Sequence, residues 1–431
     1  MKRLTLDAGR LTLTELVAER IALRASRLAL FAVLLIAPQW VVAQVDTTLQ
    51  SLVRMALERN PEIRAARAAV GAAEQRGARV GALDDPEVML QWFANPMRRG
   101  GVRNAAFGVR QMMPWPGSLA AERDAAAAGA RARSHALELA RVGLALAVAE
   151  TWHARHGQAR RIALTREHLT WLARLEALAR QRHELGLVSQ TELLRIELER
   201  ETMRSDLRRL ELEAAATDIR LRALVYAAPD ETLPVPDGPQ RLVPFTDPSP
   251  GGSHPMLLEA GAMIRESESM VRRADLETRP MIGVGLEVMG PDFSMMESSF
   301  AWPIVPSLSL TLPIWRSKTA AIKKEAGFQL EQANARYDGA LSALAAERAE
   351  ADLMFRQAEE TVALYRDRLL PRATELSDLI LLDYSTGKRM ADEVIMARRE
   401  SLELSMTLEM AITERNTALA RLHSLYPNAD Y

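Results

Sequence analysis

Residues 180–197 read RQRHELGLVSQTELLRIE, and residues 381–398 read LLDYSTGKRMADEVIMAR. Each stretch sets one glycine six residues ahead of an acid and an aliphatic pair. Gly186 precedes Glu192, Leu193 and Leu194; Gly387 precedes Glu393, Val394 and Ile395, 201 residues further on. Proline is absent between Gly117 and Ala228, and only Pro371 interrupts the stretch from Ile314 to Tyr426. Chains without helix breakers over such lengths favour continuous helix. The pattern predicts helices over about 117–183 and 317–384, each roughly 100 Å long at 1.5 Å per residue. Each reverses at its glycine into a second helix, and Pro371 is expected to kink the second of them.

The helix after each glycine carries a seam with alternating three- and four-residue spacing. The first runs through Leu193, Ile196, Arg200, Met203, Leu207, Leu210, Ala214, Thr217, Leu221 and Leu224. The second runs through Val394, Ala397, Ser401, Leu404, Leu408, Ala411, Arg415, Ala418 and Leu422. Such a seam implies left-handed supercoiling against a neighbour. Asn60-Pro61 answers His254-Pro255, Pro86 answers Pro280 and Pro114 answers Pro313, so the whole unit reads as duplicated. The expected organisation is a signal peptide at 1–43, a first repeat at 44–228, a Pro-rich linker at 229–253, a second repeat at 254–426 and a tail at 427–431. Arg24 and Arg27 ahead of the apolar run LALFAVLLIAP at 28–38 carry the signal-peptide reading. That run is too short to span a bilayer, which needs about twenty apolar residues.

Composition narrows the function. The 431-residue chain has no cysteine and a net charge of −1. This excludes disulfides, thiolate metal sites and a lipidated N-terminal cysteine, and it argues against a nucleic-acid partner. No Walker loop, GxSxG or HExxH motif is present, so the chain reads as a non-enzyme with no cofactor or catalytic residue. His153 and His156 share a metal-compatible spacing, but no nearby acid or cysteine completes a site, and a surface pair is the simpler reading. The 19 methionines could suit Cu(I); they also fill apolar space, which is the reading taken.

Four short stretches between the helices alternate apolar with polar or small residues. They lie at about 87–93, 103–112, 281–290 and 304–312. Val88, Leu90 and Trp92 oppose Glu87, Met89 and Gln91; Phe107 and Val109 oppose Gly108 and Arg110. Ile282, Val284 and Leu286 oppose Gly283, Gly285 and Glu287; Leu308 and Leu310 oppose Ser307 and Ser309. A soluble sheet packed on helices would show this pattern, and so would a membrane barrel with lipid outside and water inside. Four strands cannot close a membrane barrel, whose smallest form has eight. Strands in lipid would therefore have to be pooled between subunits.

The duplicated order helix–strand–strand–long helix–turn–helix resembles TolC-type outer-membrane factors, the exit ducts of tripartite efflux pumps and type I secretion. The turns YSTGKRMADEV and ELGLVSQTEL and the strand exits QMMPWPGSL and SLTLPIWRS carry the likeness. The resemblance implies a mainly α fold with a small transmembrane β part. Three protomers would form one twelve-stranded β-barrel continuous with a coiled-coil α-barrel. It implies the outer membrane of a Gram-negative bacterium, a homotrimer in lipid, a periplasmic adaptor (membrane fusion protein) and, through it, an inner-membrane RND-type pump. By the same likeness Glu192, Tyr384, Arg389 and Glu393 are periplasmic gate candidates, with Met396 where a second acid is common. Gly186, Leu187, Val188, Gly387, Lys388 and Met390 are adaptor-contact candidates, and Glu87, Arg110 and Glu287 would line the barrel lumen. The short NPMRRGG loop and the LDDPEVML strand start look similar to the cation-efflux branch. A drug-efflux or type I secretion duct of the same fold is the alternative. A periplasmic adaptor or a soluble coiled-coil scaffold is the alternative of another class.

Overall fold

The computed structural model describes residues 47–94, 103–234, 236, 242–243, 254–291 and 304–426. The expected signal peptide, the NPMRRGG loop, Met295-Met296 and the tail lie outside these residues. The chain divides into Met1–Ser51 and Leu52–Tyr431, and of the first unit only the opening turn of a helix is described.

Helices α1 (Thr47–Arg59) and α2 (Pro61–Val80) lead into strands β1 (Glu87–Ala94) and β2 (Arg103–Met113). Helices α3 (Ser118–Glu184) and α4 (Gln190–Val225) form the first hairpin. The second repeat has α5 (Pro255–Glu277), β3 (Met281–Pro291), β4 (Ile304–Thr311), α6 (Arg316–Leu364), a π-turn (Tyr365–Leu369), α7 (Leu370–Ser385) and α8 (Ala391–Ser424). The 67 residues of α3 run without a break. In the second repeat the corresponding path is split. Pro371 cannot donate to the helical ladder, and a five-residue π-turn just ahead of it absorbs the mismatch.

The duplication persists at the level of single hydrogen bonds. Asn60 caps α2 by accepting from the Glu62 N–H at 2.8 Å, and its Nδ2 donates to the Leu224 carbonyl at 3.4 Å. His254 caps α5 by accepting from the Met256 N–H through Nδ1 at 3.3 Å, while Nε2 donates to the Ser424 carbonyl at 3.3 Å. Each cap thus also fastens the helix that leads into its repeat's first strand to the end of the repeat's last helix. Burial holds the His254 pKa below its usual value, which keeps the neutral ring that this donor–acceptor pattern requires.

The seams are occupied as their spacing demands. Ile196, Met203, Leu210, Ala214, Thr217 and Leu221 are buried on α4; Val394, Ala397, Ser401, Leu408, Ala411, Arg415, Ala418 and Leu422 are buried on α8. Arg415 is the charged member of the buried seam, and both of its terminal nitrogens are engaged while Nε has no partner among the described residues. It donates to the Val243 carbonyl at 2.8 Å and to Glu359 at 3.1 Å, and its guanidinium lies 5.0 Å from the Phe355 ring centre. The Val243 N–H donates to Asn416 at 3.3 Å, and Leu242 packs on Val362, Leu408, Ala411 and Ile412. Leu242 and Val243 of the linker therefore sit against the second hairpin beside the π-turn.

The strands form one antiparallel sheet in the order β1-β2-β3-β4. The register Glu87↔Arg110, Arg110↔Gly285 and Gly285↔Ser307 carries one row across all four. Glu87, Met89, Gly108, Arg110, Gly283, Gly285, Glu287, Ser307 and Ser309 therefore share a face. Val88, Leu90, Trp92, Phe107, Val109, Val284, Leu286, Leu308 and Leu310 share the other. At Gly283 the neighbouring strands leave no room for a side chain: a Cβ there would overlap the Ser309 hydroxyl and the Met112 sulfur. No strand among the described residues pairs with the outer edge of β1 or of β4.

Candidate functional site: the sheet face and the hairpin tips

The apolar face of the sheet is uncovered. Trp92 is 65% exposed and Leu308 78%, with Val88, Leu90, Leu286 and Leu310 all above half. No helix of the described chain packs on it. A continuous apolar band this open is uncommon on a water-soluble chain, and it matches the outward band of a membrane barrel. Of the lumen candidates, Glu87 stands directly opposite Arg110, and Glu287 stands opposite Gly108 and Val305. All three belong to the polar face.

At the far end of each hairpin the glycine takes the left-handed conformation, φ 73° at Gly186 and 80° at Gly387. Only glycine adopts this at no steric cost. The Leu187 N–H returns to the Arg182 carbonyl and the Lys388 N–H to the Asp383 carbonyl, both near 3 Å. The same closure is made twice. Leu185, Leu187 and Met390 are exposed at 74%, 66% and 70%, and the Lys388 ammonium is exposed, 3.9 Å from Asp383. Val188 differs from the adaptor-contact expectation. It is buried, and its carbonyl accepts from His183 Nδ1 at 2.7 Å. The exposed apolar partner of Leu187 is Leu185, which the turn motif does not single out.

The four gate candidates divide into two groups. Tyr384 is 1% exposed, in a core with Leu175, Ala179, Ile196, Ala391, Val394 and Ile395 that joins both hairpins. Arg182 of α3 donates to the Tyr384 carbonyl at 2.8 Å, and its guanidinium lies 4.9 Å from the Tyr384 ring centre. Glu192, at the start of α4, accepts from the Ala391 N–H at 2.9 Å and so caps α8. Burial, then the neighbouring Glu192, pushes the Tyr384 phenol above its usual pKa, with Arg182 opposing. Arg389 and Glu393 form their own i,i+4 pair on the exposed surface. Glu393 also reaches back to the Met390 N–H at 3.5 Å. The structure thus brings Tyr384 together with Glu192 and Arg182 and keeps Arg389 and Glu393 apart from them. Arg195 of α4 and Asp392 of α8 add an ion pair between the hairpins. Arg182, Arg195 and Asp392 have no signal in the turn motifs, because their partners lie about two hundred residues away. Among the described residues no three His, Asp or Glu converge as a metal site, and no helix is long and apolar enough to cross a membrane.

Comparison with known proteins agrees with this geometry. A membrane protein from Pseudomonas aeruginosa superposes with TM-score 0.79 at 21% identity, covering 88% of this chain and 94% of that one. The outer membrane protein VceC of Vibrio cholerae gives 0.77 at 15% identity, covering 89% and 97%. The open-state MtrE outer membrane channel of Neisseria gonorrhoeae gives 0.72 at 18% identity, covering 88% of each. No curated protein matches in sequence. The fold is that of the outer-membrane channels, a sheet joined to paired helical hairpins. Residues 52–225 match the model of the family described as outer membrane efflux protein.

Proposed function

We propose that this chain is one subunit of an outer-membrane efflux duct, passing substrate passively from the periplasm to the exterior. The observation that carries the proposal is the four-stranded sheet with one bare apolar face and two open edges. Unpaired edges in lipid cost several kcal/mol per orphaned backbone group, so copies must share their strands, and three give a closed twelve-stranded ring. The polar face, with Glu87, Arg110 and Glu287, then lines water.

The helices are open in the same sense. Helix α4 exposes Leu194, Leu198, Leu212 and Ile219, and α6–α7 expose Phe328, Leu353, Leu376, Leu379 and Leu382. Neighbouring copies would cover these stripes and close a tunnel below the barrel. The tips, with Gly186, Leu187, Gly387, Lys388 and Met390, take the periplasmic adaptor and hence the RND-type pump. The core around Tyr384, Glu192 and Arg182 holds the two tips together. The likeness of residues 83–90 to the cation-efflux branch makes metal cations the substrate class to test first, ahead of drugs or secreted protein. Purified protein in a planar bilayer should give discrete conductance and a trimer mass in detergent. A monomer without conductance would reject the duct.

A further inference from the structure

The two open edges of the sheet end in opposite charge. Residues 80–94, which enter and form β1, hold Asp84, Asp85 and Glu87 and no Lys or Arg. Residues 312–324, which leave β4 and begin α6, hold Arg316, Lys318, Lys323 and Lys324 and no acid. The basic cluster is not a product of composition. The chain has only five lysines, and three of them fall in the thirteen residues 312–324. The three acids and the four cations are all exposed. Of the cations only Lys323 has a described partner, Asp275 at 2.8 Å, and no described cation pairs with Asp84 or Asp85.

Register puts the two feet at the same end of the sheet. Glu87, the first residue of β1, shares a row with Ser307, four residues from the end of β4. Because each pair is antiparallel, β1 and β4 run in opposite directions. A second copy can therefore continue the antiparallel ladder by setting its β1 against this β4. Resting on the duct reading, we propose that Asp84 and Asp85 of one copy pair with Arg316 and Lys318 of the next, and that this pairing selects the head-to-tail closure of the ring. The wrong contacts are disfavoured by the same charges. A parallel pairing of β1 with β1, or of β4 with β4, needs one copy turned about the strand axis, which sets its apolar face toward water and also sets acid on acid or cation on cation. Anionic lipid headgroups could neutralise the basic foot, but they would repel the acidic foot in the same leaflet. The second copy accounts for both feet with one contact.

The test uses the full chain in outer membranes, reading the temperature at which the trimer band is lost on a semi-native gel. D84K/D85K and R316E/K318E are each expected to lower it by several degrees, and by less at high salt. The four-fold variant, with the charges exchanged, is expected to recover it. A second measurement does not depend on how well the charge variants fold. The chain has no native cysteine, so the D84C/K318C variant treated with a flexible bis-maleimide should give cross-linked dimers and trimers. Charge reversals without effect, a four-fold variant no better than its parents, or absent cross-links would overturn the pairing. So would trimer stability that depends on phosphatidylglycerol over phosphatidylcholine vesicles and is lost in R316E/K318E alone, which would assign the cations to lipid. If the unaltered chain forms no trimer, the duct reading fails instead.

Discussion

Arg182→Ala is expected to loosen the contact that joins the two hairpin tips. The side chain makes two contacts across the hairpins: a hydrogen bond of 2.8 Å to the Tyr384 carbonyl and a cation–π contact at 4.9 Å. A hydrogen bond to a charged group contributes about 1.5–3 kcal/mol and a partly exposed cation–π contact about 0.5–1. Arg182 is only half-buried, so water recovers part of both, and we take about 2 kcal/mol as the net loss. At 1.4 kcal/mol per factor of ten this shifts the closed–open balance about 30-fold toward open. The apolar core around Tyr384 is untouched, so the trimer should survive. Single-channel recording in a planar bilayer should show a higher open fraction for Arg182→Ala and an intermediate one for Arg182→Lys, which keeps charge but loses the flat stack. An open fraction unchanged from wild type, or a loss of trimer without a change in gating, would refute the assignment of this contact to tip closure.

Three further outcomes follow from local geometry. His168 is buried against Trp171, with ring centres 5.4 Å apart, and its pKa is lowered from 6.5 to about 4 by burial and then by Arg398 and Arg399. The unfolded chain binds this proton more readily, so stability should fall as pH drops from about 6.5 to 4, by on the order of 3 kcal/mol. In denaturant titrations His168→Phe should flatten that window relative to wild type, whereas Glu409, shifted upward by burial, acts in the opposite sense in both. Gly186→Ala meets no neighbouring atom within 4 Å, so its effect is backbone strain at positive φ alone, about 1 kcal/mol, visible as faster amide exchange confined to residues 183–190. Gly283→Val must push aside Ser309 and Met112 and should cost about 1–3 kcal/mol, read as a lower trimer melting temperature, while Gly71→Val, with open space around it, should not.

The elements were legible because their signals are local. Proline-free runs set the long helices, two glycines set the turns, and period-two alternation set the faces of all four strands. Contacts at long range were not legible. Nothing near Arg182 announces Tyr384, and nothing near Arg195 announces Asp392. The family likeness groups Tyr384 with Glu192, Arg389 and Glu393 as gate residues. In the fold the helix phase turns Tyr384 into the core while Arg389 and Glu393 satisfy each other at a helix start. Val188 likewise reads as an exposed tip residue but turns inward to close the loop. Pro371 gave a kink from sequence; that the chain answers with a π-turn beside Leu242 and Val243 depends on packing that no local pattern encodes.

The central claim is that one face of the sheet meets lipid and the other water, and single cysteines placed along β4 of the cysteine-free chain test it directly. In intact outer membranes Ser307→Cys and Ser309→Cys should react with a membrane-impermeant maleimide, while Leu308→Cys and Leu310→Cys should resist it and report a lipid-phase quencher instead. Uniform labelling of all four positions would contradict the account.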